Sequence, residues 1–364
     1  MKVLVLTPIL VLALVLSGCN ASLAKVEAPV PPTQAQVQQI IPPEPTVPPT
    51  VPPTVPPAPT ATVTAVPEIV HKDLPGSPIG NKNQFQTVND QTNENTASQK
   101  KAFGGDDFKN GKYERPFDQS MNYLPLADLK MVQLNRADPL WVYVLFKVNL
   151  PFTSSQDVKT HFMVEIDTDL DSRGDLLILT GMPKDTQWST KTVMVLTNPD
   201  LNIGGQTVVK PDPTLSEGRG YYEEMFNDGK GNDADLAWSR LSKVDPSVVE
   251  IAFKNTLTGG EKGKFIWLPW SDVGMLDWSM FEFNDHFTLE QAGSPIKDDT
   301  INYPLKALWG VDNTCRLPSG FSTPTGSMPG ICDNYDPPPS KGPAPAPEPG
   351  KPPPSIPWKP DKIY

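Results

Sequence analysis

Proline is the residue that most limits what this chain can fold into. It supplies 44 of 364 residues, about 12% against a usual ~5%. Proline has no N–H to give a helix or a central strand, so this load cannot be spread through one compact domain. It is concentrated at the two ends. From Pro29 to about Pro67 the chain is mainly Pro, Thr, Val and Ala, with Thr-Val-Pro-Pro repeated from Thr46 to Pro57. Such a run favours polyproline II and acts as a semi-rigid stalk; forty residues at about 3.1 Å each reach roughly 120 Å. A second proline-rich run covers Asp336 to Lys359. Residues 71 to about 105 are polar with few apolar anchors, which predicts a flexible extension. The expected layout is a leader over 1–19, a stalk and linker over 20–105, one domain over 106–335 and a disordered tail over 336–364.

The amino terminus carries an address. Lys2 precedes an apolar run from Val3 to Leu16. That run is shorter than the ~20 residues of a membrane-spanning helix and reads as a signal-peptide core. It ends in Leu16-Ser17-Gly18-Cys19, the pattern of a bacterial lipobox, in which the Cys19 thiol takes the lipid after cleavage before it. The expected location is the outer face of a bacterial cell membrane, anchored by lipid. Losing Lys2 takes the net charge from −11 to −12. That acidity, with no Lys/Arg-rich run, argues against a nucleic-acid partner. Of three cysteines, Cys315 and Cys332 then remain as a pair in an oxidising compartment. Their spacing is too long for a C-x-x-C redox motif, so a disulfide is expected, adding roughly 3 kcal/mol in the chain-entropy picture.

Between the spacers the pattern is that of strands. Leu140, Val142, Val144, Phe146 and Val148 alternate with Trp141, Tyr143, Leu145 and Lys147. Phe162, Val164 and Ile166 repeat the alternation, as do Val249, Ile251 and Phe253. Shorter runs stand at Leu176–Thr180, Thr192–Thr197, Gln206–Val209 and Lys264–Leu268, each bounded by turn residues. Thr288–Ala292 has room for one helical turn. The fold expected is all-β, an antiparallel β-sandwich of jelly-roll or immunoglobulin-like type.

The sharpest chemical signal is the segment Asp167 to Asp175, DTDLDSRGD. Asp167, Asp169, Asp171 and Asp175 can converge on one hard cation, with the Arg173 carbonyl as a further oxygen, and calcium suits a loose set of six to eight oxygens. Ser172 stands where such loops usually carry a glycine. The alternative is a solvated acidic turn. A second acidic loop, residues 227–235, reads as a turn rather than a metal site, because Asn-Asp-Gly is good turn chemistry. Asp285-His286 lacks a nucleophile motif and reads as a structural histidine. Glu165, Glu223, Glu224 and Glu282 are available for glycoside cleavage, whose defining carboxyl separation no sequence gives. Trp141, on the strand face opposite the apolar one, is the candidate platform for the apolar face of a sugar.

The stretch ADPLWVYVLFKVNLP, then HFMVEIDTDLDSRGD, then VVEIAFK resembles extracellular β-sandwiches of the DOMON and family-9 carbohydrate-binding type. The domain also resembles bacterial surface lipoproteins with motifs standing here at Glu165–Asp175, Asp235–Arg240, Asn284–Pro295 and Asp312–Arg316. The resemblance implies a surface sandwich with structural calcium and a sugar or haem ligand. The Met and His ligands that haem would need are not placed in this sequence. Three functions fit these features: a non-catalytic, calcium-stabilised polysaccharide-binding module; a structural or adhesion protein of the envelope; and a glycan hydrolase.

Overall fold

The computed structural model describes residues 69–332, except 79, 81–83, 104–105, 153–158, 201–202, 204–219, 275, 282–286, 299, 301 and 325–326. The expected leader with Cys19, the whole Pro29–Pro67 stalk, the tail, the Gln206–Val209 run, Glu282 and His286 lie outside the described residues. In chain order the strands are β1 (Phe85–Asn89), β2 (Glu114–Arg115), β3 (Leu129–Asn135), β4 (Trp141–Val148), β5 (His161–Asp167), β6 (Leu176–Gly181) and β7 (Val193–Thr197). They continue as β8 (Glu223–Asn227), β9 (Lys230–Gly231), β10 (Ala237–Leu241), β11 (Val248–Lys254), β12 (Phe265–Asp272), β13 (Val311–Asn313) and β14 (Leu317–Ser319). One helical turn, α1 (Leu289–Ala292), is closed by a capping box between Thr288 and Gln291.

Among the described residues these strands form two antiparallel sheets. One runs β1-β3-β4-β11-β10; the other runs β2-β13-β12-β5-β6-β7-β8-β9, with β14 also on β12. The expected sandwich is the fold. Its core is made by the alternation read above: Val142, Val144, Phe146, Val148, Val249, Ile251 and Phe253 pack with Phe162, Val164, Ile166, Ile178, Val195 and Trp267 of the opposite sheet. Each such buried side chain contributes about 1.5–3 kcal/mol. β12 is buried along its whole length although Pro269 stands within it. β14 pairs with Phe265–Trp267 and β13 with Trp270–Asp272. Pro269 thus falls in the gap between those two neighbours, where a missing N–H is tolerated best.

Both sheets are covered on their outer faces too. Beyond the larger sheet, Met163, Leu177, Leu179 and Trp270 pack with Tyr221, Phe281 and Leu308. Beyond the smaller sheet, Trp141, Tyr143, Trp238 and Ala252 form a separate aromatic cluster. The cover there comes from the segment expected to be a flexible linker. The Asp235 carboxylate accepts from the backbone N–H of Lys72 (2.7 Å) and of Asp73 (2.9 Å), and pairs with His71 at 2.7 Å. The His71 ring lies 4.6 Å from Trp238. Asp73 meets Lys254 at 2.8 Å, and the Gly76 carbonyl accepts from the Trp188 indole at 2.7 Å. Further on, β1 pairs with β3 from Phe85↔Asn135 to Asn89↔Met131. The folded unit therefore begins before residue 106. Composition missed this because β1, FQTVN, buries only Val88 and is held by its backbone ladder.

Candidate functional site

The acidic loop joins β5 to β6. Its backbone follows from its own carboxylates: Asp167 accepts from the N–H of Leu170 (2.6 Å) and Ser172 (2.8 Å), and Asp175 from the N–H (2.6 Å) and hydroxyl (2.5 Å) of Thr168. Leu170 and Ser172 have φ of 69° and 75°, so both take the left-handed conformation that glycine most readily adopts. Gly174 is required by close approach, since a Cβ there would lie 1.8 Å from the Tyr221 hydroxyl oxygen. From the far side Arg316, next to Cys315, pairs with Glu165 at 3.4 Å and donates to the Ser172 carbonyl. Cys315 and Cys332 are bonded, as expected, and pack against the central core.

Of the four aspartates named for metal, the fold brings three together. One carboxylate oxygen each from Asp167, Asp169 and Asp175 lie within 4.8 Å of one another, a set that could hold a metal ion. Burial pushes Asp167 up to about 7, against the N–H groups of Leu170 and Ser172 and with the charge of Asp175 adding to it. Asp171 is not one of the three; its carboxylate accepts from the Arg173 N–H at 2.8 Å and lies 3.8 Å from the Arg173 guanidinium. Arg173 was named for its backbone carbonyl; its guanidinium donates to the Ile203 carbonyl at 2.9 Å.

A second acidic group escaped the sequence reading. Oxygens of Asp90, Glu114 and Asp312 also lie within 4.8 Å of one another, and Asp128 interacts with all three. Glu114, Asp128 and Asp312 are fully buried. Burial pushes Glu114 up to about 10, with the charges of Asp90 and Asp128 adding to it, and Asp128 up to about 7. Asp312 stands well above the usual carboxylate range and Asp90 is raised, again chiefly by burial. No local spacing announces this group, because its members are spread from position 90 to position 312.

Trp141 does not form the expected exposed platform: it is 3% exposed, packed inside the aromatic cluster under residues 71–78. A part-exposed indole is found nearby. Trp188 lines a cleft of about 460 Å³ with Lys184, Asp185, Gln187, Lys191 and Ser239. The ring is held from within by the Arg240 guanidinium, 4.2 Å from its centroid. Arg240 is fixed in turn by Glu250 at 2.6 Å. The 227–235 loop is the turn expected of it, with Asp228 and Gly229 at φ 51° and 79° joining β8 to β9. Glu165 is buried under the acidic loop, whereas Glu223 and Glu224 are exposed on β8. His161 pairs with buried Asp272 at 2.8 Å. No family model, curated protein or solved structure matches this chain.

Proposed function

We propose that this chain is a lipid-anchored surface module whose β-sandwich binds polysaccharide without cleaving it. Cys19 carries the anchor, and the proline-rich segment lies between it and the sandwich in the chain. The observation that carries the reading is the Trp188 cleft. Its volume of about 460 Å³ lies in the ligand-pocket range of roughly 300–1,000 Å³. Its lining sets one indole among hydroxyl, amide, carboxylate and ammonium groups, the combination that takes the apolar face of a sugar ring and its hydroxyls. Calcium in the 167–175 loop, held by Asp167, Asp169 and Asp175, would serve structure rather than chemistry. Three carboxylates form a hard-oxygen set with lone pairs left over after the hydrogen bonds described.

The test is depletion of the purified full-length protein by a panel of insoluble polysaccharides in millimolar calcium. One polymer is expected to retain it. Trp188→Ala, shown to be folded by near-ultraviolet circular dichroism, should lose about tenfold or more in affinity, and Gln187→Ala at the rim less. Retention by no polymer, from folded protein, would transfer the assignment to a structural role in the envelope.

A further inference from the structure

We propose that Asp90, Glu114 and Asp312, with Asp128 beside them, form a buried site for a hard divalent cation, calcium before others, separate from the 167–175 loop. The backbone makes the need for a counter-charge plain. Glu114 of β2 and Asp312 of β13 are directly opposed in an antiparallel ladder, where like charges repel, and both are out of contact with water. Asp90 follows β1 and Asp128 precedes β3, so two further carboxylates arrive from the other sheet.

Protein donors do not complete this group. Leu129 N–H donates to Asp312 Oδ2 at 2.6 Å, and Asn93 donates from its backbone to Asp128 at 2.7 Å and from its amide to Glu114 at 2.5 Å. Tyr123 donates its hydroxyl to Asp128. Asp128 Oδ1, Asp312 Oδ1 and Asp90 Oδ2 are buried with no hydrogen-bond partner among the described residues. Buried acceptors left in that state are costly, and buried ionised ones far more so. Arg115 is adjacent to Glu114 in the chain, but strand alternation sends it to the opposite face. There it is consumed by Asp106 and by the carbonyls of Ala292, Gly293 and Leu308. Lys112 supplies one ammonium at 3.6 Å from Asp90, against four carboxylates. An all-carboxylate set without His or Cys selects hard cations, and an irregular, many-oxygen set suits calcium better than magnesium. The site joins β1 and β2, the outermost strands of the two sheets, so the bound ion would clasp the sandwich along one edge.

Calcium bound per chain is to be counted by elemental analysis after equilibrium dialysis of the full chain carrying Asp169→Asn, which impairs the loop site. Adding Glu114→Gln and Asp312→Asn should lower the count by one. It should also abolish the rise in unfolding midpoint between EDTA and millimolar calcium, expected at about 5–10 °C. Should that double amide variant fail to fold, Asp90→Asn alone should weaken calcium about tenfold. An unchanged count and affinity in the folded variants would overturn the site. So would an absence of bound calcium in the parent, which would mean that the four acids share protons instead.

Discussion

At the scale of single residues, the acidic loop shows how local chemistry and close packing meet. Asp167 and Asp175 shape their own loop by accepting nearby N–H groups, a property visible in the Asp spacing. Gly174 has a different reason to be there, because the Tyr221 hydroxyl and the Glu165 side chain occupy the place of its missing Cβ. Gly174→Ala should therefore destabilise the protein by about 1–3 kcal/mol, measured by denaturant unfolding. An unchanged midpoint would show that Tyr221 can move aside. Trp188 and Trp141 illustrate the reverse limit. Both are tryptophans near strands in an aromatic-rich region, and the sequence offers no means of telling the covered ring from the part-exposed one. What separates them is packing, since Trp141 lies within the aromatic cluster and Trp188 only against its margin.

At the scale of elements, the segment covering that cluster is held mainly by one carboxylate. Burial raises the Asp235 carboxyl, but the N–H groups of Lys72 and Asp73 and the His71 side chain outweigh it, so the group stands below its ordinary 3.8. A carboxyl whose folded pKa is depressed contributes stability above its unfolded value, and that contribution is lost as pH falls through the folded value. The strap over residues 71–78 should accordingly be held at neutral pH and loosen only below about pH 4. Asp235→Ala should loosen it at every pH, exposing Trp141 and Trp238. Acrylamide quenching of tryptophan fluorescence should then rise at pH 7 relative to the unmutated protein. Equal quenching in the two would mean that the Asp73–Lys254 pair and the Gly76–Trp188 hydrogen bond hold the strap unaided.

For the whole molecule, the consequence is a domain boundary that composition places too late. A chain starting at residue 106 would lack the strap, β1 and Asp90. It would leave the long edge of β3 unpaired, and such an edge invites association. Relative to a chain starting at residue 69, it should self-associate on size exclusion and melt lower by more than about 5 °C. Equal behaviour would show that β1 is dispensable. Sequence by itself determined the class of fold, the strands of the central core, the one-turn helix and the pairing of Cys315 with Cys332. These depend on period-two burial, capping and cysteine count, all of which are written locally or by arithmetic. It also determined which carboxylates could gather in the 167–175 loop, because they are neighbours in the chain. Only the tertiary structure decided that Asp171 turns outward, that Trp141 is covered while Trp188 lines a cleft, and that Asp90, Glu114, Asp128 and Asp312 meet. Those outcomes depend on which strands become neighbours, and pairing between segments up to two hundred residues apart leaves no periodic trace in either one.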